Sequence, residues 1–136
     1  MSTHARIAIK IEKESGEEYK SVYLHSDGYL SWAGKKLLNN YNSQELAKSL
    51  IDLGGLSQLN DTLEDTVSYY KWRNESKNIH TSYSLNALIK YTMNSEDYLY
   101  VFQENNWYYI KIRDIENLYR DKKYSMNLLT EKSVIE

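Results

Sequence analysis

The 136-residue chain contains no cysteine and no proline, and its only phenylalanine is Phe102. The absence of cysteine excludes disulfides, thiolate metal sites and a cysteine nucleophile, and it suits an intracellular protein. No apolar run approaches the ~18 residues of a membrane span, and no signal-peptide core follows Met1. The formal net charge of −2 provides no global basic field that would attract DNA, RNA or an anionic membrane. We therefore predict a soluble, cytoplasmic protein whose partners include neither DNA nor a membrane.

Tyrosine is present in excess, with 14 copies beside three tryptophans. A tyrosine ring offers a large flat surface next to a hydroxyl group that prefers a hydrogen-bond partner, so a tyrosine-rich chain favours interfaces and hydrated pockets. Asparagine, lysine and isoleucine are enriched together with tyrosine, and AT-rich coding produces the same bias. The tyrosine content therefore has both a functional and a compositional explanation.

Periodicity along the chain predicts both strands and helices. Period-two alternation indicates β-hairpins, and apolar residues at helical spacing behind polar capping residues indicate helices. The predicted strands lie at 6–12, 19–25, 66–72, 98–103 and 107–113. The predicted helices lie at 32–40, 42–53, 84–93 and, as a short last helix, 115–120. The segments 60–65 and 73–82 are predicted as loops.

The expected fold class is α+β, with an antiparallel sheet of two β-hairpins plus a further strand and about three helices packed on one face. Such a sheet leaves one side exposed, and a tyrosine-rich exposed side favours a homo-oligomer that covers it. We place a single α+β ligand-binding domain at 1–120 and a C-terminal arm or tail at 121–136.

The second hairpin divides into two unlike faces. One face suits a core and consists of Leu99, Val101, Tyr108, Ile110 and Ile112. The other face is aromatic and basic and consists of Tyr98, Tyr100, Phe102, Trp107, Tyr109, Lys111 and Arg113. Aromatic rings stack on a nucleobase and cations hold phosphates, so the second set is predicted as a nucleotide-binding surface. Alternatively, this face packs on helices or on another subunit.

The segment from Tyr23 to Tyr29 passes from a strand into an Asp27-Gly28 turn. On a continuing strand His25 and Asp27 would share a face, either as a hydrogen-bonded pair or as a base oriented by a carboxylate. No nucleophile motif and no metal-ligand spacing accompanies them, which favours a role in the turn and in binding. We accordingly predict no catalytic residue, no metal site and no cofactor.

The same segment resembles a known family. The signature Y-x-H-x-D-G-Y…G-x-x-L-L…Y belongs to small phage proteins that include the first-described Thoeris anti-defence family. The matching residues are Tyr23, His25, Asp27, Gly28, Tyr29, Gly34, Leu37, Leu38 and Tyr41. Residues 53–59 match the Leu-Gly-x-Leu-Ser-x-Leu ending of the same group, whereas Ser26 and Leu30 stand where relatives often carry Trp and Pro.

This resemblance implies a phage-encoded sponge in the cytoplasm of the infected bacterial host. Such a protein binds and sequesters a cyclic nucleotide-type immune signal, a glycocyclic ADP-ribose isomer and in some members cyclic oligonucleotides, without cleaving it, and so blocks antiphage defence. The resemblance also implies a homo-oligomer, from a dimer to a hexamer.

Taken together, these arguments give the predicted ligand-binding residues His25, Asp27, Tyr29, Lys71, Arg73, Asn94, Tyr100, Phe102, Trp107, Tyr109 and Arg113. Lys71 and Arg73 belong to this set because they flank Trp72 and would point outward together from a strand. One alternative is a protein-binding inhibitor of a host defence complex, of the anti-CRISPR or anti-restriction type, with the tyrosine surface as its hot spot. Another is an enzyme that cleaves the same ligand through His25 and Asp27.

Overall fold

The structure is a computed structural model that describes residues 3–115 and 124–135. The strands are β1 (Ala5–Lys13), β2 (Gly16–Ser26), β3 (Leu56–Gln58), β4 (Val67–Ser68), β5 (His80–Ser82), β6 (Tyr98–Gln103), β7 (Asn106–Lys111) and β8 (Asn127–Leu128). The α-helices are α1 (Lys35–Asn40), α2 (Gln44–Asp52), α3 (Tyr69–Arg73) and α4 (Leu85–Thr92). A π-helical turn at Leu30–Gly34 leads into α1, and short 3₁₀ turns lie at Ile112–Asp114 and Ser133–Ile135. None of the helices in the described ranges is long and apolar enough to cross a membrane.

The described strands form one sheet in the order β4-β3-β2-β1-β6-β7-β8, and β5 also pairs with β2. The two hairpins β1–β2 and β6–β7 are confirmed. They join through parallel pairing of β1 with β6, in which Ala5 lies opposite Tyr98, and β3 is also parallel to β2. The fold is therefore a mixture of helices and a sheet, as expected, but the sheet is mixed and not purely antiparallel.

Helices pack on both faces of the sheet, not on one. The first face carries Ile7, Val22 and Tyr100 and is covered by α1, α2 and the C-terminal segment. The second face carries Ala8 and Val101 and is covered by α4. Central strands that are buried on both sides need apolar residues at nearly every position, and β6 has them.

The aromatic surface predicted on the second hairpin is part of the core. The side chains of Tyr100, Phe102 and Trp107 are at most 2% exposed. Their polar atoms are satisfied inside the protein, because the Tyr100 hydroxyl donates to the Gly28 carbonyl at 2.7 Å and Trp107 Nε1 donates to the Tyr41 carbonyl at 3.0 Å. These rings pack in the core beneath the helices of the first face, which is the alternative that the sequence left open, and they do not form an exposed surface.

Two further segments differ from the sequence prediction. The expected strand at 66–72 is limited to β4, because the Ser68 hydroxyl accepts from the Lys71 amide at 3.2 Å and so caps α3. The expected loop at 73–82 ends in β5, which pairs with the middle of β2.

The described part of the C-terminal segment, 124–135, packs against the domain. β8 pairs with β7, and Leu129 and Val134 are buried against the first face. The predicted short helix at 115–120 lies outside the described residues beyond Ile115, as do residues 121–123 and 136 of the predicted arm.

Candidate functional site

One end of the second face carries a polar and aromatic group of side chains, which we call the Arg6 cluster. Alternation along the start of β1 and the end of β2 places Arg6, Tyr23 and His25 on this face. β5 and the end of α4 complete it. Its members are His4, Arg6, Tyr23, His25, His80, Tyr91, Asn94, Ser95 and Glu96.

The centre of the cluster is a buried ion pair between Arg6 and Glu96. Arg6 Nε lies 2.9 Å from Glu96 Oε1, and the two side chains are only 6% and 2% exposed. Arg6 Nη1 donates to the Ser21 hydroxyl at 3.0 Å, and Glu96 Oε2 accepts from the Ser95 hydroxyl at 2.6 Å. Removing two charges from water costs several kcal/mol per ion, so stability alone is a poor explanation for such a pair.

One nitrogen of the guanidinium group is left for a ligand. Within the described part of the chain, no acceptor pairs with Arg6 Nη2. The one fully buried side-chain polar atom without a partner in that part of the chain is Ser82 Oγ, so Nη2 is not completely buried. Arg6 also lines a cavity of about 290 Å³, together with Tyr23, Tyr91, Asn94, Ser95 and Glu96.

Aromatic rings flank the guanidinium group. The Tyr91 ring centre lies 4.7 Å from Arg6 Cζ, and the His80 ring stacks on Tyr91 with centres 3.6 Å apart and planes 4° apart. Tyr91 is 38% exposed and also borders a second cavity of about 400 Å³, whose wall includes His80, Lys90 and Asn94. Two open spaces therefore meet at a single aromatic ring.

The electrostatic environment keeps His80 uncharged. Burial lowers the pKa of His80, and the nearby Arg6 charge lowers this pKa further. Near pH 7 His80 is therefore a neutral aromatic surface and not a second cation. Around the Arg6–Glu96 ion pair, the cluster places a guanidinium group beside the neutral rings of Tyr91 and His80. A guanidinium group beside an aromatic ring is a combination that binds a phosphate and a base together.

The rim of the cluster contains the other two histidines. The His4 and His25 rings stack with centres 4.9 Å apart, and the Tyr23 hydroxyl is 2.9 Å from His25 Nδ1. His4 Nδ1 lies 2.5 Å from the His25 carbonyl oxygen, to which it donates. All three histidines of the chain thus lie on one face of the sheet, although their sequence positions suggest no connection between them.

The predicted pair of His25 and Asp27 does not form. β2 ends at Ser26, and Asp27 takes a left-handed conformation with φ 57° and accepts from Gln58 Nε2 at 3.0 Å. Its carboxylate is directed to β3, so it does not orient His25 as the carboxylate of an acid–base pair would.

Several residues of the family-like signature have structural reasons. A Cβ on Gly28 would lie 2.8 Å from Ala5 Cβ and 2.9 Å from the Thr3 carbonyl oxygen, so close approach requires glycine there. Leu37 and Tyr41 are fully buried in the first core. Tyr23 and His25 are different, because they line or border the Arg6 cluster.

The remaining predicted site residues are dispersed. Lys71 and Arg73 lie on the exposed α3, and Arg73 forms an ion pair with Glu75 at 3.7 Å. Arg113 is exposed beside the Tyr98 ring, Tyr109 packs against the first core, and Tyr29 precedes the π-helical turn. Of the eleven predicted residues, the structure brings His25 and Asn94 into the Arg6 cluster.

Four residues of the cluster, namely Arg6, Glu96, Tyr91 and His80, were not predicted from the sequence. A charged residue next to the alternating isoleucines of β1 is the one signal that could have indicated Arg6. The partner Glu96 is 90 positions away, and no local pattern connects the two.

A larger cavity of about 1080 Å³ lies on the other side of α4, beside Lys10, Tyr19 and Met93. One of its two lysines is engaged, because Lys10 Nζ lies 3.1 Å from Glu17 Oε2, and a hydrogen bond to Glu17 raises the pKa of Lys10; the other is Lys90. We regard the Arg6 cluster, whose cation is buried and fixed by Glu96 and Ser21, as the better candidate site.

Among the described residues, no three histidine or acidic side chains are grouped so that they could hold a metal ion. Comparisons with family models, with curated proteins and with solved structures find no match for this chain. The resemblance to the Thoeris anti-defence family therefore stays a prediction, and the chemistry of the site has to be argued from its own residues.

Proposed function

We propose that this protein binds and sequesters a cyclic nucleotide-type immune signal, a glycocyclic ADP-ribose isomer, without cleaving it, and that the ligand occupies the Arg6 cluster. The observation that carries the proposal is the buried Arg6, which lines a cavity together with the exposed Tyr91 and whose Nη2 has no acceptor among the described residues. The resemblance of the Tyr23 to Tyr41 segment to the anti-defence family supports the ligand class.

The chemistry of the cluster suits such a ligand. A nucleobase can stack on an aromatic ring whatever its base-pairing edge. Arg6 and His80 cover the two faces of Tyr91, so the stacking surface for a base is the His80 ring of this stacked pair, which lines the cavity of about 400 Å³. A guanidinium group that is fixed by Glu96 and Ser21 keeps its position, so its free nitrogen can donate to a phosphate oxygen with little loss of side-chain entropy. Neutral His80 adds stacking surface without a competing charge.

The geometry also favours binding over catalysis. The hydroxyl of Ser21 contacts Arg6 and not a histidine, and His25 is hydrogen-bonded to Tyr23 and not to a carboxylate. A nucleophile activated by a base requires both groups within hydrogen-bond reach. A sponge needs tight capture and no turnover, which is consistent with this arrangement.

Isothermal titration calorimetry with a glycocyclic ADP-ribose isomer tests the proposal. We expect the wild type to bind, and Tyr91→Ala to weaken binding by about 1–3 kcal/mol, the value for one base-stacking ring. Tyr70→Ala is the matched control, because Tyr70 is an exposed tyrosine outside the cluster. Mass spectrometry of the ligand after heat denaturation of the complex should recover it intact.

Three results would contradict the proposal. Absence of binding to every cyclic ADP-ribose isomer at micromolar protein would remove the ligand class. Equal weakening by Tyr91→Ala and Tyr70→Ala would remove the site. Slow conversion of the ligand by the wild type would make the protein an enzyme.

A further inference from the structure

The charges that line the two cavities at Tyr91 do not cancel. Near pH 7 the charged side chains in these walls are Arg6, Glu96 and Lys90. Arg6 and Glu96 neutralise each other as a buried ion pair. An anion that binds Arg6 therefore also approaches a carboxylate, which repels it. The excess positive charge that an anionic ligand needs comes from Lys90.

Lys90 is available to bind an anion. It lies in the last turn of α4 and is exposed, and it forms no ion pair with another residue of the described ranges. A cation is favoured near the C-terminus of a helix, which explains a lysine in this turn. The helix alone does not explain why this lysine lines a cavity beside an aromatic pair.

Lys90 shares a cavity with the stacking surface for a base. The His80 ring and Lys90 both line the cavity of about 400 Å³. Arg6 covers the opposite face of Tyr91, with its Cζ 4.7 Å from the ring centre, and lines the cavity of about 290 Å³. A base on His80 would thus have one cation in its own cavity and a second cation beyond the Tyr91 ring.

Asn94 connects the two cavities. It lines both of them, and it follows Lys90 by four positions, which is about one helical turn. Its exposed side-chain amide contains two donors and an acceptor, so it can bind a sugar hydroxyl group. A ligand that extends from one cavity to the other would pass this amide.

We propose that Lys90 binds one phosphate group of the ligand and Arg6 binds the other, so that the site recognises a base linked to two phosphates. This inference rests on the proposed function and adds a second cation to it. The two cations have different roles. Arg6 is fixed and donates in one direction, whereas the flexible ammonium group of Lys90 supplies the charge that no carboxylate balances.

Calorimetry of Lys90→Met with a glycocyclic ADP-ribose isomer tests this role, because methionine keeps an unbranched stem without the charge. We expect binding about tenfold weaker at low salt, as for the loss of a hydrogen bond to a charged group. The difference should shrink as the salt concentration rises, since Lys90 is exposed and its charge is screened. Lys90→Arg should retain most of the affinity.

The matched control is Lys48→Met, which should bind as the wild type does. Lys48 is an exposed lysine of α2, and α2 covers the first face of the sheet. Equal affinity of Lys90→Met and Lys48→Met for the cyclic isomer would overturn the inference and leave the proposed function standing. A loss in Lys90→Met that is the same at every salt concentration would also overturn it, because the lysine would then act through packing. Circular dichroism checks that each variant is folded.

Linear ADP-ribose separates the two proposals, since it carries the same base and the same two phosphates without the ring closure. If ADP-ribose binds, depends on Lys90 and yet no cyclic isomer binds, the role of Lys90 is supported and the proposed function fails. If neither ligand binds, both proposals are overturned.

Discussion

The first face of the sheet buries aromatic rings whose polar atoms donate hydrogen bonds to backbone carbonyls, whereas the second face buries a charged pair beside an open cavity. Trp107 and Tyr100 illustrate the first case, because each donates to a carbonyl of the loop and helix layer above it. Arg6 and Glu96 illustrate the second, because their charges neutralise each other while one guanidinium nitrogen is left over.

Burial is nearly complete in both places, so burial does not distinguish a core from a site. The hydrogen-bond partners of the buried polar atoms do distinguish the two. Hydrogen bonds to the backbone carbonyls of Gly28 and Tyr41, in the connections after β2 and after α1, make Tyr100 and Trp107 structural elements of the fold. A buried ion pair, in contrast, is often replaceable by apolar residues without loss of stability, so its presence calls for another reason.

Truncation of Trp107 should produce the largest effect. We expect Trp107→Ala to lower the free energy of unfolding by about 3–5 kcal/mol, because it removes a fully buried ring from the first core. Denaturation with urea measures the change. Tyr83→Ala is the control, since Tyr83 is 74% exposed, and it should change stability by less than about 0.5 kcal/mol.

The Trp107→Ala variant tests whether the aromatic rings of the first face form a core or a binding surface. If Trp107→Ala keeps its stability and instead loses affinity for a cyclic ADP-ribose isomer, the ring belongs to a binding surface after all. The contrast between the two faces would then disappear.

Replacement of the ion pair should give the next largest effect. We expect Arg6→Ala to lower the free energy of unfolding by about 3 kcal/mol, because Glu96 is left buried without its partner. The double variant Arg6→Met with Glu96→Leu should recover that loss, since apolar residues of similar volume carry no desolvation cost. Urea denaturation of the single and double variants gives both numbers.

The double variant also tests whether the Arg6 guanidinium group binds the ligand. It should be folded and yet bind the cyclic nucleotide ligand more weakly, because it has no guanidinium group. A double variant as unstable as Arg6→Ala would show that the pair is structural, and the second face would then resemble the first.

Local patterns predict much of this fold because its hairpins and capped helices depend on neighbouring residues. Alternation identifies β1, β2, β6 and β7, and the cap residue Ser84 with its following apolar residues identifies α4. The candidate site is different. It depends on the parallel pairing of β1 with β6, which brings Arg6 to the turn before β6. The two strands are far apart in the sequence, and a contact between such distant segments produces no periodic pattern from which it could be predicted.

The turn at Asp27 is a second place where the local sequence does not predict the structural role of a residue. An Asp-Gly pair predicts a glycine with positive φ, but Asp27 takes the left-handed conformation and Gly28 is needed for its closeness to Ala5. Only the tertiary neighbours distinguish these two roles of a glycine.

The smallest expected effect is a pH dependence that belongs to the second face alone. The pKa of His80 is lowered from its ordinary value of 6.5 by burial and by Arg6, so the folded state binds fewer protons than the unfolded state below that pH. The free energy of unfolding should therefore fall as the pH decreases through 6.5, and level off once the pH is below the lowered pKa. The first face contributes nothing in this range, because burial raises the pKa of Tyr100 well above its ordinary value of 10.0.

Urea denaturation of the wild type and His80→Gln between about pH 5 and pH 8 measures this contribution, since pH 5–8 spans the ordinary titration of histidine. Glutamine keeps a polar side chain at this position but cannot titrate, so the variant should lose part of the decrease seen in the wild type. An identical pH profile in both proteins would mean that His80 is as freely protonated in the folded state as in the unfolded state. The stacked ring would then carry a positive charge at acidic pH, and the cluster could no longer be described as one cation among neutral aromatic surfaces.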